Sequence, residues 1–206
     1  MLVKICGITR LEDAEAAAQA GAAAVGFVFW PGSPRYVDPF RARAIAARLP
    51  PFVTTVGVFV NQPTAYIAGV ASLVRLGAVQ LHGDETPGAA EALPLPVIKA
   101  IRLGDAGIAG WPARTTLLLD AHDPVRRGGT GQTIDWSAAA AVAAERRVLL
   151  AGGLTPDNVR EAVMRVRPFG IDVSSGVESA PGIKDPQRIR ALFESLRALG
   201  ALEALS

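Results

Sequence analysis

Cys6, Asp120, Arg35 and His82 stand where apolar runs of this chain give way to loops. Cys6 closes the run Leu2-Val3-Lys4-Ile5. Its thiol either packs as an inert buried group or, at an accessible strand end, serves as a thiolate base or nucleophile. Asp120 follows Leu117-Leu118-Leu119. Partial desolvation there raises a carboxyl pKa and suits the group to donate a proton; the plainer role is to cap the next turn. Arg35, in Ser33-Pro34-Arg35-Tyr36, is a solvated loop cation or a bidentate clamp for a carboxylate. His82, in Gln80-Leu81-His82-Gly83, is a packed, hydrogen-bonded imidazole or a substrate contact.

Two small-residue turns come later, at Gly152-Gly153 and at Ser175-Gly176. Glycine lets backbone N–H groups approach phosphate oxygens. Each turn alone reads equally as an ordinary tight turn. Asp172 lies inside an apolar run, so an inward charge there needs a partner and reads as support for the site rather than as a reacting group. Arg126-Arg127-Gly128-Gly129-Thr130-Gly131-Gln132 is a glycine-rich loop without the ending or spacing of a P-loop.

The elements that must position these groups follow from periodicity. Eight apolar runs read as strands: Leu2–Ile8, Ala23–Trp30, Thr54–Val60, Ala78–His82, Val97–Arg102, Thr116–Ala121, Val148–Ala151 and Gly170–Ser174. They are nearly continuous rather than alternating, which is the mark of strands covered on both faces. Helical spacing lies between them. Leu11–Ala20 stops at Gly21 and Pro63–Leu76 at Gly77, both read as C-caps. Asp38-Pro39, Thr155-Pro156 and Asp185-Pro186 each read as an N-cap followed by proline at the first helical position. Thr86–Leu93, Asp105–Trp111 and Trp136–Ala144 complete the set. Alternating strands and helices give an α/β fold, and the first turn lacks G-x-G-x-x-G. A single-domain (β/α)8 TIM barrel over residues 1–206 is the expected architecture. In such barrels chemistry sits at the C-terminal ends of the strands, with phosphate sites after strands seven and eight. Both glycine turns fall there.

Composition excludes several classes. Half of the 206 residues are hydrophobic and 19% are charged, so a disordered chain is excluded. A net charge of +2 with no long basic run argues against a nucleic-acid partner. One cysteine and two histidines make no disulfide and no structural metal site. No apolar run is long enough to span a bilayer, so no membrane partner and a cytoplasmic location are expected.

The ordered motifs Lys4-Ile5-Cys6-Gly7-Ile8-Thr9, Ser33-Pro34-Arg35-Tyr36, Gln80-Leu81-His82-Gly83, Leu118-Leu119-Asp120, Gly128-Gly129-Thr130-Gly131, Ala151-Gly152-Gly153-Leu154 and Asp172-Val173-Ser174-Ser175-Gly176-Val177-Glu178 resemble the phosphoribosylanthranilate isomerase family of tryptophan biosynthesis. The resemblance runs through nearly the whole chain. It implies a (β/α)8 barrel and a cofactor-free Amadori rearrangement of a phosphosugar substrate, in a monomer or homodimer. Carried over by motif position, it implies Cys6 as general base, Asp120 as general acid, Arg35 at the anthranilate carboxylate, and Gly152, Gly153, Ser175 and Gly176 at the phosphate. Two positions depart from the family pattern: Gln132 stands where a lysine is usual, and Ile134 where a phenylalanine is usual. Another phosphosugar barrel is the rival enzyme reading. An indole-glycerol-phosphate synthase would want strand-end lysines, and only Lys99 sits near one. The histidine-pathway isomerase pairs two aspartates where this chain has Cys6. A non-catalytic phosphosugar-binding regulator is the remaining alternative.

Overall fold

The computed structural model describes residues 1–102, 106–120 and 136–200. The glycine-rich loop expected at 126–132, with Gln132, lies outside the described residues. Eight parallel strands close on themselves: β1 (Leu2–Cys6), β2 (Ala24–Val28), β3 (Thr54–Phe59), β4 (Ala78–Leu81), β5 (Val97–Arg102), β6 (Thr116–Asp120), β7 (Val148–Ala151) and β8 (Gly170–Val173). Helices α1 (Leu11–Ala20), α2 (Pro39–Ala46), α3 (Thr64–Val74), α4 (Pro87–Glu91), α5 (Trp136–Glu145), α6 (Val159–Val166) and α7 (Pro186–Arg197) alternate with them. A short 3₁₀ turn, Ala106–Gly110, occupies the β5–β6 connection. Closure runs through β8, where Leu2 to Ile5 pair in register with Gly170 to Val173.

The near-continuous apolar runs have a direct physical cause. Successive side chains alternate between barrel interior and helix layer. Val3, Ile5, Val25, Phe27, Leu117, Leu119, Ile171 and Val173 point outward into one core shared with α1, α6 and α7, including Ala14, Ala17, Ala162, Ile189 and Phe193. Cys6, Val28 and Val58 fill one part of the interior, and Ala100, Leu118, Leu149 and Ala151 another. Each buried Leu, Ile or Phe contributes about 1.5–3 kcal/mol relative to exposure.

The caps follow the sequence with two corrections. Asp38 accepts from the Phe40 and Arg41 N–H groups, and Asp185 from Gln187 and Arg188, each just before proline. Gly21 takes a left-handed conformation after α1. Gly77 does not end α3. Its N–H bonds Thr55 O at 2.9 Å, which commits it to the strand edge, so Arg75 takes the left-handed position instead. The first turn after Thr155-Pro156 is irregular. Val159 N–H bonds Thr155 O at 3.0 Å, but regular helix begins only at Val159, three residues beyond the proline.

A two-stranded hairpin, β9 (Glu178–Ala180) and β10 (Ile183–Lys184), follows a 3₁₀ turn at Ser175–Val177 and was not anticipated. Its signal was present: Pro181-Gly182 is a turn dipeptide, and Gly182 has φ 78°.

Lys99 does not reach the barrel mouth. It pairs across strands with Leu117, whose side chain faces the helix layer. Its ammonium lies 2.8 Å from Glu85 Oε2 and stacks on the Trp111 ring. This removes the one strand-end lysine that a lyase reading required. Because both partners are buried, Lys99→Met should leave a carboxylate unpaired and lower stability by about 3 kcal/mol. Urea unfolding checks this, and an unchanged midpoint would show that the pair carries no net stabilisation.

Candidate active site

A cavity of about 680 Å³ opens at the C-terminal ends of the strands, within the size range of small-molecule sites. Cys6, Arg35, His82, Asp120, Gly152, Gly153, Asp172 and Ser175 all line it. Residues far apart in the chain therefore meet at one mouth. Gly176 does not line the wall. A Cβ there would overlap Leu154 O, so glycine lets the β8 loop pack directly on the β7 loop and hold Ser175 at the rim. Gly152 and Gly153, at φ 87° and 63°, turn the β7 loop in a conformation most residues avoid.

Cys6 and Asp120 end β1 and β6 and face the cavity from different sides of the barrel. Burial and the Asp172 carboxylate push the Cys6 thiol up; the Lys4 and Lys184 ammonium groups oppose them. Asp172 is indeed partnered, 2.8 Å from Lys4 Nζ. Asp120 is about a quarter exposed, with Oδ2 3.6 Å from His82 Nε2. The Gln80 amide lies 2.9 Å from His82 Nδ1. With the amide nitrogen donating to Nδ1, the other ring nitrogen carries the proton and faces Asp120.

Arg35 reaches the cavity, but its fork is largely occupied. Nε and Nη2 bond the two oxygens of Glu178 at 2.8 and 2.7 Å. Lys184, fully buried, bonds Glu178 Oε1 at 2.8 Å and Ser174 O at 3.2 Å. One carboxylate from the unanticipated hairpin thus holds both cations. Burial works against its ionisation, yet the bonds from Arg35 and Lys184 outweigh burial and hold Glu178 below the usual carboxylate range.

Sequence reasoning missed Lys4, Gln80, Trp30 and Glu178. Lys4 and Gln80 were findable, since each lies two residues before a selected site residue on the same strand face. Trp30, 43% exposed, lines the same mouth and was legible only as an aromatic in a loop. Glu178 closes one of the family-like motifs, but nothing local marked it as the partner of Arg35 and Lys184. Among the described residues, no cluster of three His, Cys, Asp or Glu side chains could hold a metal ion, and no helix is long and apolar enough to cross a membrane.

The family model for N-(5'-phosphoribosyl)anthranilate (PRA) isomerase matches residues 3–195. The N-(5'-phosphoribosyl)anthranilate isomerase of Geobacter sulfurreducens is 55% identical over 192 residues, covering 91% of this chain and 94% of its own. The crystal structure of the Thermotoga maritima phosphoribosyl anthranilate isomerase aligns with a TM-score of 0.89 at 45% identity, covering 96% of this chain and all of that one. A second isomerase structure, in complex with reduced 1-(o-carboxyphenylamino)-1-deoxyribulose 5-phosphate, aligns with a TM-score of 0.85 at 43% identity, with the same coverage.

The Glu178 network gives a pH prediction. A carboxylate with a lowered pKa contributes stability above the ordinary glutamate range, near 4.3, and that contribution is lost as pH falls through the folded value. Acidification should therefore destabilise the wild type. Glu178→Gln should be less stable at neutral pH by about 3 kcal/mol, because Lys184 loses its buried partner. Its acid limb should be shallower. Urea midpoints measured from neutral to acid pH check both; an acid limb as steep as wild type would remove Glu178 from the linkage.

Proposed function

The chain belongs to the N-(5'-phosphoribosyl)anthranilate isomerase family and is an isomerase of that class, and from that premise we propose how its barrel mouth divides the work. The reaction is the Amadori rearrangement of N-(5'-phosphoribosyl)anthranilate to 1-(2-carboxyphenylamino)-1-deoxyribulose 5-phosphate. Cys6 is the base and Asp120 the acid. The observation that carries this reading is their placement on β1 and β6, with one substrate-sized cavity between them.

The chemistry requires two proton transfers at different atoms of the sugar. Asp120 protonates the furanose ring oxygen as the C1'–O bond breaks, leaving a Schiff base whose nitrogen carries the charge. The Cys6 thiolate then takes the C2' proton. The C–H electron pair forms the C1'–C2' double bond, and the iminium pair returns to nitrogen. The enol loses its hydroxyl proton and C1' gains one, which gives the ketone. Each transfer needs its group in the right state near neutral pH: partial withdrawal from water favours the protonated acid, whereas the thiolate needs positive charge beside it. Asp120 faces His82 Nε2 at 3.6 Å, and Cys6 is buried in the barrel interior.

Binding groups surround this axis. Gly152, Gly153 and Ser175 form the phosphate cradle, with Gly176 setting the height of Ser175. Arg35, oriented by Glu178, offers its remaining nitrogen, Nη1, to the anthranilate carboxylate, and Trp30 lines the same mouth as an aromatic wall. His82 acts on the substrate side through Asp120. Every residue named comes from one chain, so the reading holds equally for a monomer or a homodimer. The barrel acts as one catalytic domain in the cytoplasm, without a cofactor.

Two substitutions test the assignment. Cys6→Ser is nearly isosteric, but a hydroxyl holds its proton far more tightly than a thiol. Turnover should fall by about 10²-fold or more, and the alkaline rise in rate that a thiolate base imposes should disappear. Asp120→Asn should preserve folding and substrate binding while kcat falls about 10²- to 10⁴-fold. Substrate fluorescence decay measures both. A Cys6→Ser enzyme with wild-type turnover and pH profile would falsify the base assignment, and near-normal turnover in Asp120→Asn would do the same for the acid.

A further inference from the structure

We propose that Lys4 is the positioning residue of the base: its ammonium, clamped from behind by Asp172, stands beside the Cys6 sulfur and stabilises the thiolate inside the barrel. The proposal rests on the reading of Cys6 as base and deepens it.

Three observations carry it. Lys4 precedes Cys6 by two residues on β1, so both side chains project from one strand face into the interior. Lysine is almost never fully buried unless paired, and Lys4 is 3% exposed. Its pairing is supplied by closure of the barrel, which sets Lys4 opposite Asp172 in the β1–β8 register with Nζ 2.8 Å from Oδ1. Third, the two heads share one space. Gly26 is the β2 partner of Cys6, and a Cβ on Gly26 would lie 2.8 Å from Cys6 Sγ and 3.0 Å from Lys4 Nζ. The missing side chain on β2 is the room in which sulfur and ammonium come together.

A structural pair alone would not call for this arrangement. Burying an ion pair is seldom better for stability than filling the same volume with apolar side chains, and the apolar side chains clustered with Cys6 are Val28 and Val58. A buried thiolate, by contrast, needs a fixed cation. Asp172 keeps Lys4 from swinging to the mouth and keeps it charged. The charged groups facing the thiol among the described residues are Lys4 on its own strand, Asp172 on β8, Lys184 after the hairpin turn and Arg35 from the β2 loop. Lys184 and Arg35 are both paired with Glu178 and Lys4 with Asp172, but of the three cations only Lys4 shares the strand face of Cys6 and the space that Gly26 leaves open.

The test uses the fact that Cys6 is the only cysteine. Iodoacetamide alkylation followed against pH reads the ionisation of that one thiol, and kcat and KM are measured over the same range. In Lys4→Met the alkylation midpoint should move up by about one pH unit or more, and kcat at neutral pH should fall about tenfold or more. KM should be retained, and kcat should recover on the alkaline side. Lys4→Met leaves Asp172 unpaired and can fail to fold, so Lys4→Met/Asp172→Asn, which removes both charges, is measured beside it. The double variant should fold, and because it also loses the carboxylate that pushes the thiol up, its loss of kcat should be smaller than in Lys4→Met but in the same direction. An unmoved alkylation midpoint, or wild-type kcat in the double variant, overturns the proposal and leaves Lys4 as a counter-charge for Asp172. An active Cys6→Ser enzyme overturns it by a different route, through the base assignment, and is recognised because the midpoint still moves in Lys4→Met.

Discussion

Closure of the parallel sheet between β1 and β8 is the constraint on which everything else in this molecule depends. The pairing joins residues 2–5 to 170–173, so the first and last strands of the barrel become neighbours. Without it Lys4 and Asp172 would each be an unpaired charge in an apolar interior, a state that costs several kcal/mol per ion. With it the two neutralise one another, and Ser174 Oγ can donate to Cys6 O at 3.1 Å. The start of the site is thus built from the end of the chain. A parallel barrel reaches this arrangement only when all eight strands have the same stagger, which makes the site a property of the whole fold.

An acid and a base at this mouth, as proposed, would have to act in a space small enough to exclude much of the water. Counter-charges are fixed there from several strands and loops. Lys4 and Asp172 sit beneath Cys6, inside the sheet. Glu178 sits above, on a hairpin added after β8, and binds Arg35 and Lys184 together. Lys184 N–H also bonds Asp13, which in turn holds Arg10, so the hairpin is tied to α1. Such a network is worth little as stability, but it fixes cations whose directions matter for an anionic substrate. His82 plays the corresponding part on the β4 side, where the Gln80 amide sets the ring beside Asp120.

Local sequence determined the elements. Strands β5 and β7 end where their apolar runs end, and Asp38 and Asp185 cap helices because a short acceptor before proline is satisfied by the nearest N–H groups. These are interactions between residues two to four apart, so their energies are legible in the chain itself. The same holds for Cys6, Asp120, His82 and the Gly152-Gly153 turn at strand ends and for Arg35 in the loop after β2, each of which reaches the cavity. Motif order along the chain points to the same family.

What only the tertiary structure decided is which groups share a neighbour. Arg35 and Glu178 are 143 residues apart and Lys4 and Asp172 are 168 apart, and nothing in their local sequence marks them as partners. Gly77 looked like a helix stop but was claimed by the β3 edge, which moved the left-handed residue to Arg75. Gly176 reads in sequence as a phosphate contact, and in the fold it is also the point where two loops touch. In each case the deciding energy is a contact between distant segments. Such a contact depends on strand register and barrel stagger, quantities that come into being only when the sheet closes.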